Sequence, residues 1–228
     1  MADNMNASEA PASSAAEISE TRHRSGTARK LSWFMLTVIW LGVVGFGLSW
    51  MWAYEATPGD ATESLAHWPS DSRLELNPGR PTLLVFAHPR CPCTRASIRE
   101  LAVIVAHCPD SVDARVLFFR PTNFADNWEK TDLWFSANEI PNVIAVSDEN
   151  GIEASKFGAT TSGYSMLYDS SGKLLFRGGI TGSRGHSGDN AGRSAIESLL
   201  MNKVTDQKQS FVFGCPLFGE ADKHCQED

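Results

Sequence analysis

The stretch TLLVFAHPRCPCTRASIREL, residues 82–101, decides the fold. Thr82–Ala87 is a continuous apolar run of the length and composition of a buried β-strand. The spacing of apolar residues over Cys93–His107 predicts a helix. Two cysteines, Cys91 and Cys93, lie where the strand passes into the helix, separated by one proline. This arrangement predicts a strand that delivers two thiols to a helix N-terminus.

Thiols at that position are suited to redox chemistry. The helix dipole and the free N–H groups of the first turn favour thiolate over thiol. Four nearby side chains that are positive or can become so would add to this effect: His88, Arg90, Arg95 and Arg99. A disulfide across a single intervening residue closes a small strained ring, and strain makes a disulfide more oxidising. An inert bridge is therefore the weaker interpretation.

The rest of the chain alternates short strand patterns with longer helical ones. Further strands are predicted at Ala114–Arg120, Asn142–Ser147, Tyr164–Tyr168 and Lys173–Arg177, and helices at Trp128–Asn138, Ile152–Phe157 and from Asp189 or Asn190 to Met201. The turn sequence between the last two strands predicts an antiparallel hairpin. This order indicates an α/β domain with a mixed central sheet flanked by helices.

Composition divides the chain into five parts. They are a disordered cytoplasmic tail at 1–30, a transmembrane helix at 31–54, a linker at 55–80, the α/β domain at 81–204 and a C-terminal tail at 205–228. The linker assignment depends on its prolines and glycines. The disordered tail is predicted because residues 1–30 contain few large apolar side chains.

The segment from Leu31 to Tyr54 contains no charged residue and is long enough to cross a hydrocarbon core of about 30 Å. The flanking charges are basic before it (Arg22, Arg24, Arg29, Lys30) and acidic after it (Glu55, Asp60, Glu63, Asp71). By the positive-inside rule the N-terminus is cytoplasmic and the domain is periplasmic or extracellular. We favour a single-pass inner-membrane anchor over a cleaved signal peptide, because the apolar run exceeds the usual signal length.

The overall charge and the cysteine count narrow the functional classes. A net charge of −7 and the lack of a basic stripe argue against a nucleic-acid partner. No motif predicts a cofactor or a resident metal. Five cysteines in an oxidising compartment leave one thiol unpaired after two disulfides, which is consistent with a working thiol.

Two segments carry a resemblance to a known family. Residues 82–101, together with Lys156–Gly179, resemble the strand, active-site turn, helix and later hairpin of thioredoxin-like proteins. The layout resembles that of tethered thiol reductases of bacterial envelopes. The sequences VFGCPLF (212–218) and GGITGSRGH (178–186) are also similar to a bacterial subgroup known as RedB.

The resemblance implies roles for four residues. Cys91 would be the more exposed, attacking thiol and Cys93 the resolving thiol. Ser162 and Gly163 would lie in the substrate groove, with Gly163 at the place of the family's cis-proline. The chain departs from the family twice, since one residue is missing between the cysteines and glycine replaces that proline. Glycine leaves the backbone able to pair with a substrate but removes the rigidity.

The sequence therefore predicts a membrane-tethered thiol-disulfide oxidoreductase. Its substrates would be protein thiols and disulfides, and its electron partner another envelope protein or a membrane redox carrier. Two alternatives remain open: a Cu(I)-binding chaperone with His88 or His186 as third ligand, and an adaptor that has lost turnover. A peroxiredoxin-like function is disfavoured because His88 stands where that chemistry needs threonine.

Three further cysteines and one glycine-rich loop remain to be interpreted. Cys215 pairs with Cys225 in the simpler interpretation, and resolves a disulfide with Cys91 or Cys93 in the other. Cys108 is expected to be a small buried residue. The glycine-rich loop at 178–188 is interpreted as a surface connection; if it folds over the thiols, Arg184 and His186 are the first candidates to tune them.

Overall fold

The structure is a computed structural model that describes residues 13–59 and 66–218, with side chains from residue 29 onward. Its helices are α1 (Ser13–Ala56), α2 (Thr94–His107), α3 (Asp132–Asn138), α4 (Ile152–Lys156) and α5 (Ala191–Leu200). Its strands are β1 (Thr82–Ala87), β2 (Asp113–Arg120), β3 (Val143–Glu149), β4 (Tyr164–Tyr168) and β5 (Leu174–Gly178).

The five strands form one mixed sheet in the order β3-β2-β1-β4-β5. β1 and β2 are parallel, as are β2 and β3, whereas β4 runs antiparallel to both β1 and β5. Three parallel strands joined through helices, followed by an antiparallel hairpin and a last helix, constitute the predicted thioredoxin-like arrangement. The fold class is confirmed.

The core lies on both faces of the sheet, because alternate residues of a strand point to opposite faces. Leu83 and Val85 pack with α2 and α5 on one face, and Leu84 and Phe86 pack on the other. Phe157 belongs to this second face, beside residues from two segments outside the sheet: Trp68, Leu74 and Leu76 before it, and Val212 and Leu217 after it. Both segments are therefore part of the domain.

The segment predicted to be a linker, residues 55–80, therefore contains part of the domain. From residue 66 onward the chain packs on the domain, and Trp68 stacks edge-on against Phe157 and Tyr168 at 5.0 and 5.2 Å between ring centroids. Its backbone N–H donates to the Gly172 carbonyl. The prolines and glycines mark turns, while the apolar side chains between them provide the packing.

One other predicted boundary was wrong. Helix α3 begins at Asp132 rather than Trp128, because Thr131 is extended and Asn127 has a positive φ of 73°, so a turn precedes the helix. Helix α1 begins at Ser13, within the tail predicted to be disordered; residues 1–12 lie outside the described part. Alanine, glutamate and arginine favour helix, and extending an existing helix avoids the cost of nucleation.

The N-terminal helix and the domain are two separate compact units, divided after Ala53. Within the described residues, one stretch of helix, Arg29–Ala56, is long and apolar enough to cross a membrane, with a mean hydropathy of 2.0 over its most apolar window. It corresponds to the predicted span at Leu31–Tyr54.

Candidate active site

The two adjacent cysteines lie in a tight turn between β1 and α2. The Cys91 N–H donates to the His88 carbonyl, and the Thr94 N–H donates to the Cys91 carbonyl, both at 3.1 Å. Cys93 is the N-cap residue of α2. Cys91 is only 1% exposed, whereas Cys93 is half-buried. The expectation that Cys91 is the more exposed thiol is therefore wrong.

A third cysteine explains the burial of Cys91. The Cys215 Sγ lies 2.9 Å from the Cys91 Sγ, although 124 residues separate them in sequence. We call residues 208–218, which bring Cys215 to this position, the docked tail. Of the two interpretations of Cys215, the described residues place it beside Cys91; Cys225, its other suggested partner, lies outside them.

Backbone pairing holds the docked tail against the segment before β4. The Ser162 N–H donates to the Cys215 carbonyl and the Leu217 N–H donates to the Thr160 carbonyl, each at 2.8 Å. Thr161 and Pro216 form the antiparallel bridge between these two bonds. The tail thus adds a short antiparallel strand next to the thiols.

The first part of the docked tail runs beside the edge strand β5. The Arg177 N–H donates to the Lys208 carbonyl at 3.0 Å, and the Ser210 N–H donates to the Arg177 carbonyl at 3.1 Å. The close approach requires glycine at Gly179, because a Cβ there would lie 2.6 Å from the Phe211 carbonyl oxygen. Part of the glycine-rich sequence therefore serves to seat the tail.

Gly214 allows the closest approach at the site. A Cβ at this position would lie 1.8 Å from the carbonyl oxygen of Ser162. Leu217, three residues on, is 1% exposed within the core. A residue without a side chain before Cys215 and a buried side chain after it fix the position of this thiol.

The three thiols share one negative charge, located on Cys91. The pKa of Cys91 lies far below that of an ordinary thiol because the Cys215 thiol, and then the Cys93 thiol, donate to its sulfur. Backbone N–H groups of Cys215 and Thr94 also lower it, whereas burial opposes them. The pKa values of Cys93 and Cys215 are raised, first because each donates to Cys91 and second by burial.

Arg184 is a cation that acts on two of the three thiols, Cys93 and Cys215. Its charge lowers the pKa of both Cys93 and Cys215, against the larger effects that raise them. The guanidinium donates to the Gly214 carbonyl at 2.5 Å, so it also holds the docked tail. The interpretation that the glycine-rich loop is only a surface connection is therefore incomplete. His186 is exposed and its Nδ1 lies 2.8 Å from the Arg184 carbonyl.

The four basic residues that the sequence suggested as neighbours of the thiols have other contacts or are exposed. His88 is buried, faces the rings of Phe119 and Trp128, and accepts from the Arg90 N–H. The Arg90 guanidinium lies 5.1 Å from the Trp128 ring centroid. Arg95 forms an ion pair with Asp132, and Arg99 is exposed. His88 and Arg90 thus contact aromatic rings, and Arg95 contacts a carboxylate.

Ser162 and Gly163 are both close to the thiols but are engaged within the protein. The Ser162 hydroxyl accepts from the His88 N–H and lies 2.7 Å from the Thr94 Oγ1. The Gly163 N–H donates to the Phe86 carbonyl, and its φ is +90°, a conformation that glycine adopts without strain. The backbone N–H of Ser162 pairs with the docked tail. Their role in substrate binding stays a prediction.

The arrangement does not favour the Cu(I) alternative. Among residues 29–59 and 66–218, no group of three or more histidine, cysteine, aspartate or glutamate side chains has the geometry of a metal site. Of the two histidines suggested as a third ligand, His88 packs against Phe119 and Trp128, and the Nδ1 of His186 lies beside the Arg184 carbonyl. Cys108 is in the core and 3% exposed, as expected.

Comparison with known proteins identifies the fold but no family. No family model matches the chain, and no curated protein sequence matches it. An uncharacterized conserved protein from Geobacillus kaustophilus is 17% identical, with a TM-score of 0.52 over 72% of this chain and 93% of its own. A hypothetical protein from Sinorhizobium meliloti is 18% identical, with a TM-score of 0.52 over 71% and 93%.

A secreted disulfide oxidoreductase from Mycobacterium tuberculosis is 17% identical over 54% of this chain and 82% of its own. Its TM-score of 0.39 is too low to support an inference. The Geobacillus and Sinorhizobium structures, each with a TM-score of 0.52, share the fold of this chain. At 17% and 18% sequence identity they indicate nothing about its activity.

Replacing Gly214 with alanine should undock the tail. The added Cβ meets the Ser162 carbonyl, and loss of the two flanking backbone bonds, at about 1 kcal/mol each, should raise the alkylation rate of Cys91 by about tenfold or more. Iodoacetamide labelling followed by peptide mass spectrometry measures this rate. Gly182→Ala is the matched control, because its Cβ has open space to 3.9 Å. An unchanged rate in Gly214→Ala would show that the tail does not cover Cys91.

The lowered pKa of Cys91 predicts a flat pH profile. A group with a depressed pKa stays ionised at every pH above it, so Cys91 alkylation should change little from pH 8 to 5, whereas glutathione slows about tenfold per pH unit. Cys215→Ala removes the side-chain donor that is the largest cause and should steepen the profile. Cys108→Ala should leave it flat. A wild-type profile as steep as that of glutathione contradicts the assignment of the charge.

Proposed function

We propose that this protein is a membrane-tethered thiol-disulfide oxidoreductase that acts on cysteines of envelope proteins through Cys91 and Cys93. One observation carries the proposal: the Cys91 sulfur, in the turn between β1 and α2, lies 2.9 Å from the Cys215 sulfur, and this contact is the main reason that the pKa of Cys91 is lowered. A thiolate that is stabilised in this way is the form that attacks disulfides and leaves mixed disulfides. A structural cysteine has no need of such stabilisation.

The reaction is reversible exchange of a disulfide bond. The Cys91 thiolate attacks a disulfide, forming a mixed disulfide and releasing one thiolate. A neighbouring thiol, Cys93 in the Cys-Pro-Cys pair, then attacks the Cys91 sulfur and releases the second thiolate. The reverse sequence transfers the bond to a dithiol substrate. In both directions two electrons pass between the protein and the other reactant.

The electrostatics favour the disulfide-donating direction. Stabilising the reduced form, as the shared charge on Cys91 does, makes a dithiol pair a stronger oxidant. We expect a reduction potential near or above about −200 mV, on the oxidising side of thioredoxin. A substrate strand would pair with the Ser162 N–H, the group that now pairs with the docked tail.

The tether and the subgroup are part of the same proposal. The apolar stretch Arg29–Ala56 would anchor the protein in the inner membrane. Basic residues before it and acidic residues after it would leave the domain on the periplasmic or outer side. The similarity of residues 178–186 and 212–218 to RedB sequences supports placement in that subgroup, and both segments contact each other through Arg184 and Gly214.

Reoxidation of reduced, unfolded ribonuclease in a glutathione buffer tests the activity. The wild-type protein should accelerate recovery of native ribonuclease, and Cys91→Ser should reduce the rate to that of the buffer alone, because this variant lacks the attacking thiol, the one whose pKa the site lowers. Cys108→Ala, which removes a thiol from the core, should retain the activity. Equal rates for wild type and Cys91→Ser would refute the proposal.

A membrane-impermeant maleimide tests the orientation. The probe is a single cysteine introduced by Val204→Cys, at a side chain that is almost fully exposed, in a full chain whose own five cysteines are replaced by serine. Added to intact spheroplasts, the reagent should label this cysteine, since the domain would face outward. A control with a single added cysteine before residue 30 should be labelled only after lysis. The opposite pattern would place the domain in the cytoplasm.

A further inference from the structure

We infer that Cys215 is a third redox residue: when the protein is oxidised, its thiol forms a reversible disulfide with Cys91, resolving mixed disulfides in place of Cys93. This inference deepens the proposed function and rests on it. The starting observation is geometric, since the Sγ atoms of Cys91 and Cys215 are 2.9 Å apart. A small rotation of the side chains would bring them to the bonding distance of about 2.05 Å.

Cys215 is not subject to the constraint that limits Cys93. A bond between Cys91 and Cys93 must close a ring across one proline, with little freedom to reach relaxed dihedral angles. Cys215 reaches Cys91 from a separate segment, so the two backbones can adjust independently. The docked tail is nevertheless held closely, through the Ser162 and Leu217 backbone bonds and the contact of Gly214 with Ser162.

The charge on Cys91 controls when Cys215 becomes reactive. In the reduced protein the Cys215 thiol keeps its proton because it donates to the Cys91 thiolate. Once Cys91 enters a mixed disulfide it has no charge, and both the hydrogen bond and the repulsion that raise the pKa of Cys215 are lost. The positive charge of Arg184 remains and favours deprotonation of Cys215. The resolving thiol thus becomes reactive only when there is a mixed disulfide to resolve.

With glutathione disulfide as the oxidant, the steps balance as follows. The Cys91 thiolate attacks one glutathione sulfur, forming a Cys91–glutathione disulfide and releasing one glutathione thiolate. Cys215 loses its proton to water, and its thiolate attacks the Cys91 sulfur. The Cys91–Cys215 bond forms, the bond to glutathione breaks, and the second glutathione leaves as thiolate. Two electrons pass from the protein thiols to glutathione disulfide, and a dithiol substrate returns them.

Backbone pairing links this chemistry to substrate exchange. The Ser162 N–H donates to the Cys215 carbonyl, so it cannot pair with a substrate strand at the same time. Return of the tail to form the Cys91–Cys215 bond therefore displaces the previous reactant. Attack by a substrate thiol breaks that bond and frees the tail, which opens the groove.

Disulfide mapping of the full chain in detergent micelles tests the inference. After oxidation by glutathione disulfide and tryptic digestion without reduction, peptide 91–95 should be joined to peptide 209–223. The same product in Cys93→Ser assigns the bond to Cys91. In Cys215→Ser, the Cys91–glutathione adduct should persist about tenfold longer or more, because the nearest resolving thiol is missing. Cys225→Ser, which changes another cysteine of the C-terminal residues 205–228, is the matched control and should behave as wild type.

The outcomes separate this inference from the proposed function. A disulfide confined to peptide 91–95, with resolution as fast in Cys215→Ser as in wild type, overturns the role of Cys215 and leaves the oxidoreductase intact. A link between peptides 209–223 and 224–228 also overturns it, since Cys215 would then be paired with Cys225. If Cys91 forms neither a disulfide nor a glutathione adduct in any variant, both fail.

Discussion

The contact between the sulfur atoms of Cys91 and Cys215 is the interaction on which the site depends. It buries Cys91, supplies the largest of the effects that favour its thiolate, and couples the protonation of Cys91, Cys93 and Cys215. Three thiols that share one charge differ from a simple dithiol, because a change at Cys91 alters the reactivity of both neighbours. The chemistry of the site is therefore a property of the cluster.

That contact is maintained by features far from the thiols. The tail leaves α5, runs along the edge of β5 past Gly179, crosses to the segment before β4, and buries Leu217 in the second face of the core. Each step is a backbone pairing or a close approach that glycine permits. Placing Cys215 therefore depends on packing of the sheet's edge strand as much as on the residues beside the site.

The sequence predicts the sheet and the first two cysteines well, because both depend on local patterns. The apolar run of β1 ends just before the turn that carries Cys91, and the apolar residues of the helix that follows recur with helical spacing. Cys215 is different. Its neighbours in sequence are unusually apolar for a tail, which is a signal that the segment is buried, but nothing in the sequence indicates where it docks. Trp68, in the predicted linker, is a second example, because it packs against Phe157 and Tyr168, about 90 and 100 residues further along the chain.

The charged residues near Cys91 in sequence illustrate why proximity along the chain misleads at such a site. His88 and Arg90 turn toward Trp128, and a cation that acts on Cys93 and Cys215 is Arg184, from the glycine-rich loop. Because Arg184 also holds the Gly214 carbonyl, one side chain links the electrostatics of the thiols to the position of the tail. If the tail carries the resolving thiol, as we propose, that link matters in chemical terms. Undocking the tail would remove the thiol that stabilises Cys91, and it would also break the Gly214 contact of Arg184, the cation that lowers the pKa of Cys215. A site whose first two thiols are separated by one residue has little room to separate attack from resolution, and a third thiol on another segment of the chain separates them in space.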